Sequence, residues 1–182
     1  MERLLTQIHV QQAEGDAEKP NPRYTFQFAG HKINRNGWRL NFDGMDTAGF
    51  QANPVVLLNH DADALPIGRA VSLTKKARSL SGTIEFGPED ELAQRVKGKV
   101  DRGYINAVSV SYVPLETEFI DADSYDDKWE MMWNADLDIL RSDLVEVSIV
   151  GIPADSSAVR KQSFQTDMQE LLSGLNESLK QE

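Results

Sequence analysis

A serine hydroxyl becomes a useful nucleophile when an imidazole can take its proton and a third group orients that imidazole. The chain has one histidine well placed for such work. His60 closes the most apolar short run, Pro54-Val55-Val56-Leu57-Leu58-Asn59-His60-Asp61, and Pro66-Ile67-Gly68-Arg69 follows shortly after. An apolar run of this length, bounded by proline and polar residues, predicts a buried strand. Its exit sets an imidazole where strand meets loop, a position that catalytic groups favour. His9 and His31 follow no apolar run. Ser109 and Ser111 lie in a second predicted strand, Ile105 to Val113. Two residues apart on a strand, they share a face, so either could approach His60, and the choice between them stays open. Glu146, within the run Leu144 to Pro153, offers the carboxylate.

Taken singly, each of these residues has an ordinary explanation. Strand serines bond to neighbours, loop histidines cap turns, and Glu146 alternates with Val145 and Val147 as a polar-face residue would. No nucleophile elbow of the form Gly-x-Ser-x-Gly is present. Asn59-His60-Asp61 and Asp63 place nitrogen and oxygen donors together, which allows a metal-dependent hydrolase built on His60 and Asp61. That reading lacks paired-histidine spacing such as His-Glu-x-x-His. The acidic stretch 121–138 lacks the glycine and spacing of a calcium loop, and no glycine-rich phosphate loop occurs. No metal and no cofactor are expected.

The elements that must position these groups are mostly short strands. Tyr24, Phe26 and Phe28 alternate with Thr25 and Gln27, and further strands are predicted at 37–42, 54–59, 67–73 and 79–86. One helix has clear punctuation. Pro88, Glu89, Asp90 and Glu91 open it, Leu92, Val96 and Val100 recur every fourth residue, and Gly103 ends it. Residues 121–138 gather seven acidic positions around Trp129, Met131, Met132 and Trp133, and read as an exposed acidic loop leading to an aromatic hairpin or lid. Residues 1–23 read as a flexible N-terminal arm, 24–160 as one β-rich domain, and 161–182 as an amphipathic helical tail with Phe164, Met168, Leu171, Leu172, Leu175 and Leu179 at helical spacing. Many short strands with few helices predict a mostly β (α+β) domain, such as a barrel, and the absence of βαβ alternation disfavours a doubly wound sheet.

Composition narrows the functions. A net charge of −10 argues against direct nucleic-acid binding, which needs a basic patch to displace counterions. No apolar run approaches membrane-spanning length, and the N-terminus lacks a secretory apolar segment. With no cysteine there is no disulfide framework, thiol nucleophile or thiolate metal site, which suits a cytosolic or intracapsid setting.

Three segments in order resemble the tailed-phage prohead maturation proteases of the HK97 type. The apolar run into Asn59-His60-Asp61 with Pro66-Ile67-Gly68 is similar to that family's histidine segment. Ala107-Val108-Ser109-Val110-Ser111-Tyr112 resembles its nucleophile segment, and Glu146-Val147-Ser148 through Pro153-Ala154 its third segment. The resemblance covers roughly residues 30–160. It implies a closed β-barrel flanked by helices, like the herpesvirus proteases, with Ser109 as nucleophile, His60 as general base and Glu146 as third member. Ser111 stands where the family usually has glycine, which keeps it as fallback nucleophile. Implied substrates are the phage major capsid protein, scaffold segments and the protease itself. The implied location is the interior of the immature capsid in the bacterial cytoplasm, with homo-oligomer formation allowed and no membrane partner. The rival reading is a non-catalytic capsid assembly or scaffold protein on the same fold.

Overall fold

The computed structural model describes residues 21–124, 127, 131 and 135–161. In chain order the elements are β1 (Arg23–Gly30), β2 (Trp38–Leu40), β3 (Met45–Asp46), α1 (Ala48–Ala52), β4 (Val55–Leu58), β5 (Gly68–Lys76), β6 (Ser79–Phe86), α2 (Glu91–Asp101), β7 (Ala107–Phe119) and β8 (Leu137–Val150). All the strands join one curled sheet, so the domain is mostly β with few helices. Among the described residues no helix is long and apolar enough to cross a membrane.

Alternation of side chains drives the sheet. Along β6, Leu80, Gly82, Ile84 and Phe86 point inward while their neighbours face out. Gly82 has to be glycine: a Cβ there would lie 2.5 Å from both the Phe28 ring and the Ser72 carbonyl oxygen. β1, β6, β5 and β4 pair antiparallel in that order. β8 is the spine of the domain. β7 runs antiparallel along one edge, while β2, β3 and β4 add parallel, one after another, along the other.

α2 packs Ala93, Val96 and Val100 on the core. The sequence stripe named Leu92 in place of Ala93; Leu92 lies in the first turn at the margin of the contact and is half-buried. Asp90 caps the helix, accepting from the Ala93 N–H at 2.8 Å. At the far end Gly103 takes φ +73°, and paired bonds from Gly103 N to Val100 O (3.2 Å) and Tyr104 N to Lys99 O (2.9 Å) close the last turn.

Residues 158–161 run between the two ends of the sheet. Single-residue bridges join Ala107 to Val159 and Phe26 to Arg160, and Lys161 N donates to Thr25 O at 2.8 Å. Arg160 also lies over the Tyr24 ring, 5.0 Å from its centroid, and bonds the Val100 carbonyl on α2. Of the N-terminal arm predicted over 1–23, only Asn21, Pro22 and Arg23 are described, and Arg23 already belongs to β1. All of the tail predicted over 161–182 except Lys161 lies outside the described residues, as do Trp129, Met132 and Trp133.

Two strands are longer than their apolar runs suggested. β7 continues from Val113 to Phe119, and β8 begins at Leu137 instead of Leu144. This outer ribbon is exposed on β7, so it lacks the apolar alternation that marks a strand in sequence. Only β8 contributes buried side chains there, Ile139 and Ser142.

Candidate active site

A bulge sets the phase of β8. Ser111 pairs with Glu146 and Tyr112 with Leu144, which leaves Val145 as an extra residue on β8. In a plain strand Leu144 and Glu146 would share a face. Here Leu144, Val147 and Ile149 join the core with Tyr112, Val110 and Val108 opposite them, while Glu146 and Ser148 face the other way beside Ser111 and Ser109. The result is a small polar face of four residues on adjacent strands. It is shielded from water: Glu146 is 6%, Ser109 8% and Ser148 0% exposed.

β4 brings the histidine to this face. Leu57 and Leu58 pair parallel with Ser148 and Ile149, and the chain then turns sharply through Asn59 (φ 54°) and His60 (φ 59°). Two consecutive left-handed residues without glycine are uncommon and persist only where the surroundings hold them. Asn59 N donates to Ile149 O (3.0 Å), His60 N to Ser148 Oγ (3.1 Å) and Asp61 N to Leu58 O (3.2 Å). The turn aims the imidazole at Glu146.

His60 Nδ1 lies 2.5 Å from Glu146 Oε1. A carboxylate only accepts, so Nδ1 carries the proton and Nε2 is the free basic nitrogen. Ser111 Oγ donates to the same Oε1 at 2.5 Å and lies 3.1 Å from Nδ1. Ser148 Oγ donates to Oε2 at 2.7 Å. Both carboxylate oxygens are thus occupied, as a buried charge requires.

A cleft of about 290 Å³ opens on these groups, lined by His60, Ser109 and Ser111 together with Gly30, Trp38 and Tyr112. One wall is held by Asp155, whose carboxylate accepts from Gly30 N at 2.5 Å and from Ser157 N at 2.8 Å. Burial pushes the Tyr112 phenol up to about 12, so it stays neutral and is unsuited to proton transfer near neutrality. The open edge of β7 also faces this region. Val108 N donates outward to Ala158 O (3.0 Å), so Val110, two residues on in unbroken register, also points its N–H away from β8. That N–H bonds to none of the described residues.

Of the residues named from sequence, the structure brings His60, Glu146 and Ser111 into direct contact. Ser109 lines the same cleft, and its hydroxyl makes no hydrogen bond among the described residues. Asp61 accepts from the N–H of Asp63 within its own loop, and no group of three or more His, Cys, Asp or Glu residues clusters among the described residues. Ser148, part of the third motif segment but given no role from sequence, also bonds into this cluster. Its signal was the i, i+2 spacing from Glu146 on one strand, which puts both on one face.

A family model described as caudovirus prohead serine protease matches residues 44–171. The match spans all three segments of the site, and the chain belongs to that family, which makes it a serine protease of phage capsid maturation. No curated protein and no solved structure matches it.

Proposed function

We propose that the chain hydrolyses peptide bonds with Ser109 as nucleophile, His60 as general base through Nε2, and Glu146 as the carboxylate that orients the imidazole. The observation that carries this reading is the short His60 Nδ1–Glu146 contact. It leaves Nε2 to accept a proton and stabilises the imidazolium formed as the acyl-enzyme develops. Ser111 is the poorer nucleophile in this arrangement. Its proton is committed to Glu146, and the nitrogen it touches is the one that already carries a proton. Ser109 has an unengaged hydroxyl on the same cleft. We assign the Val110 N–H, next in the chain and unpaired among the described residues, to the developing oxyanion.

Substrates in this reading are the capsid protein and scaffold segments of the prohead, cleaved inside the immature capsid. The wider fold is a barrel of the herpesvirus-protease kind, a reading supported by the bridges that residues 158–161 make to both β1 and β7.

A second reading has Ser111 as nucleophile, favoured by its 3.1 Å contact with His60. A fluorophosphonate probe followed by peptide mapping separates the two. Labelling at Ser109, abolished in Ser109→Ala and retained in Ser111→Ala, is expected, together with uncleaved scaffold in proheads assembled with Ser109→Ala. Labelling at Ser111 would transfer the role there. Scaffold cleavage unaffected by both variants would favour the non-catalytic assembly reading.

A further inference from the structure

We infer that Ser148 is a positioning residue that ties the main chain of His60 to the carboxylate of Glu146, and so sets the angle at which the imidazole meets the nucleophile. The inference rests on the triad proposed above. Ser148 is fully buried, and its hydroxyl is used in both senses: it donates to Glu146 Oε2 at 2.7 Å and accepts from His60 N at 3.1 Å. In its own register it sits between Leu57 on β4 and Ser109 on β7. Among the described residues neither Glu146 Oε2 nor the His60 N–H has another partner.

One oxygen therefore fixes both ends of the His60–Glu146 pair. The root of the imidazole sits on a left-handed turn that no local preference would hold, and its N–H is secured by a side chain of β8, not by a ladder bond. The carboxylate facing Nδ1 is secured by the same hydroxyl. Ser148 and Glu146 both belong to β8, so this hydroxyl holds the β4 turn against displacement from the carboxylate that meets Nδ1 at 2.5 Å. Ser111 grips the other oxygen from the half-exposed cleft side, where the family usually has glycine. It adds to the pair without anchoring the turn.

The test uses the whole chain and p-nitrophenyl acetate as probe, with four proteins: wild type, His60→Ala, Ser148→Ala and Ser148→Thr. In folded Ser148→Ala, kcat is expected to fall about 10–100-fold with KM within about twofold, as is typical when a partner of a catalytic group is removed. The low-field Nδ1–H proton resonance of His60 is expected to broaden or vanish, and Ser148→Thr, which keeps the hydroxyl, to recover both. Wild-type kcat or an unchanged resonance in Ser148→Ala, with His60→Ala inactive, overturns the inference and leaves the triad standing. Full turnover in His60→Ala instead overturns the triad. Should Ser148→Ala not fold, Ser148→Cys, of nearly the same volume but without the hydroxyl, replaces it, and its kcat and resonance decide the inference in the same way. Loss of fold in Ser148→Cys as well would make the residue structural and overturn the inference.

Discussion

The inner and outer halves of the β7–β8 ribbon belong to the same two strands, and they do different work. In the inner half, Ala107 to Ser111 pair with Val150 to Glu146 in unbroken register, with β4 on the far side of β8. In the outer half, from Val113 to Phe119, the ladder shifts twice and every β7 side chain but the last is exposed. Regular register superposes polar groups at i and i+2 on both strands, and burial removes the water that would compete for them. The inner half has both conditions and holds the site. The outer half lacks the first and has the second only on β8, where Ile139 and Ser142 are buried. Its β7 strand is an ordinary surface strand. Val145 marks the border.

The largest effect is expected from giving Val145 a partner. Inserting one alanine between Ser111 and Tyr112 restores a one-to-one ladder, in which Leu144 and Glu146 must share a face. Either Glu146 enters the core or Leu144 and Tyr112 leave it. Ester turnover is expected to drop by about 10³-fold or more, the scale of losing a triad member, with a lower melting temperature. Deleting Val145 instead preserves alternation on both sides, so that variant is expected to fold. Circular dichroism melts and turnover check both. An insertion variant with normal activity would show that the bulge does not phase the site.

How much of this was legible in the sequence follows the same border. The inner strands announced themselves because burial writes apolar runs: Val55 to Leu58 and Val147 to Val150 are recognisable without coordinates. His60 and Glu146 could be named because each interrupts or ends such a run. The outer ribbon was hard to see because the exposed β7 side leaves no hydrophobic pattern, and residues 121–138 read as an acidic loop leading to an aromatic hairpin or lid although β8 already includes Leu137 and Asp138. α1 escaped for a related reason: over five residues only Phe50 is buried, too little to show a period. The contact of Ser111, and not Ser109, with His60 was beyond reach too. Two serines on one face are equivalent by spacing, and only the bond from Ser111 to Glu146 breaks the tie.

Truncating one apolar side chain in each half compares their packing. Ile149 is fully buried on the core face of the inner half, whereas Leu115 is 52% exposed on the outer half. Ile149→Ala is expected to cost about 2–5 kcal/mol through lost burial and the cavity left behind. Leu115→Ala is expected to stay within about 0.5 kcal/mol of wild type. Urea unfolding gives both values, and a cost for Leu115→Ala near that of Ile149→Ala would mean that the outer half is covered in solution.

The smallest effect is expected where the outer half is held by charge. Arg39 on β2 forms a two-pronged ion pair with Asp138 on β8, its Nε lying 2.6 Å from Oδ1. The hydrogen bond with Asp138 holds the Arg39 guanidinium above its ordinary value. Both side chains are partly exposed, which limits such a pair to about 0.2–1 kcal/mol and leaves it open to screening. Arg39→Gln is therefore expected to lower stability by less than about 1 kcal/mol. The difference should shrink in about 1 M salt, where charges are screened within about 3 Å. Turnover should not change, because the register of the inner half is fixed by β4 and the core, with no contribution from β2. A fall in kcat in Arg39→Gln at unchanged stability would show that the outer half transmits strain past Val145. The two halves would then be one mechanical unit and the bulge a hinge between them.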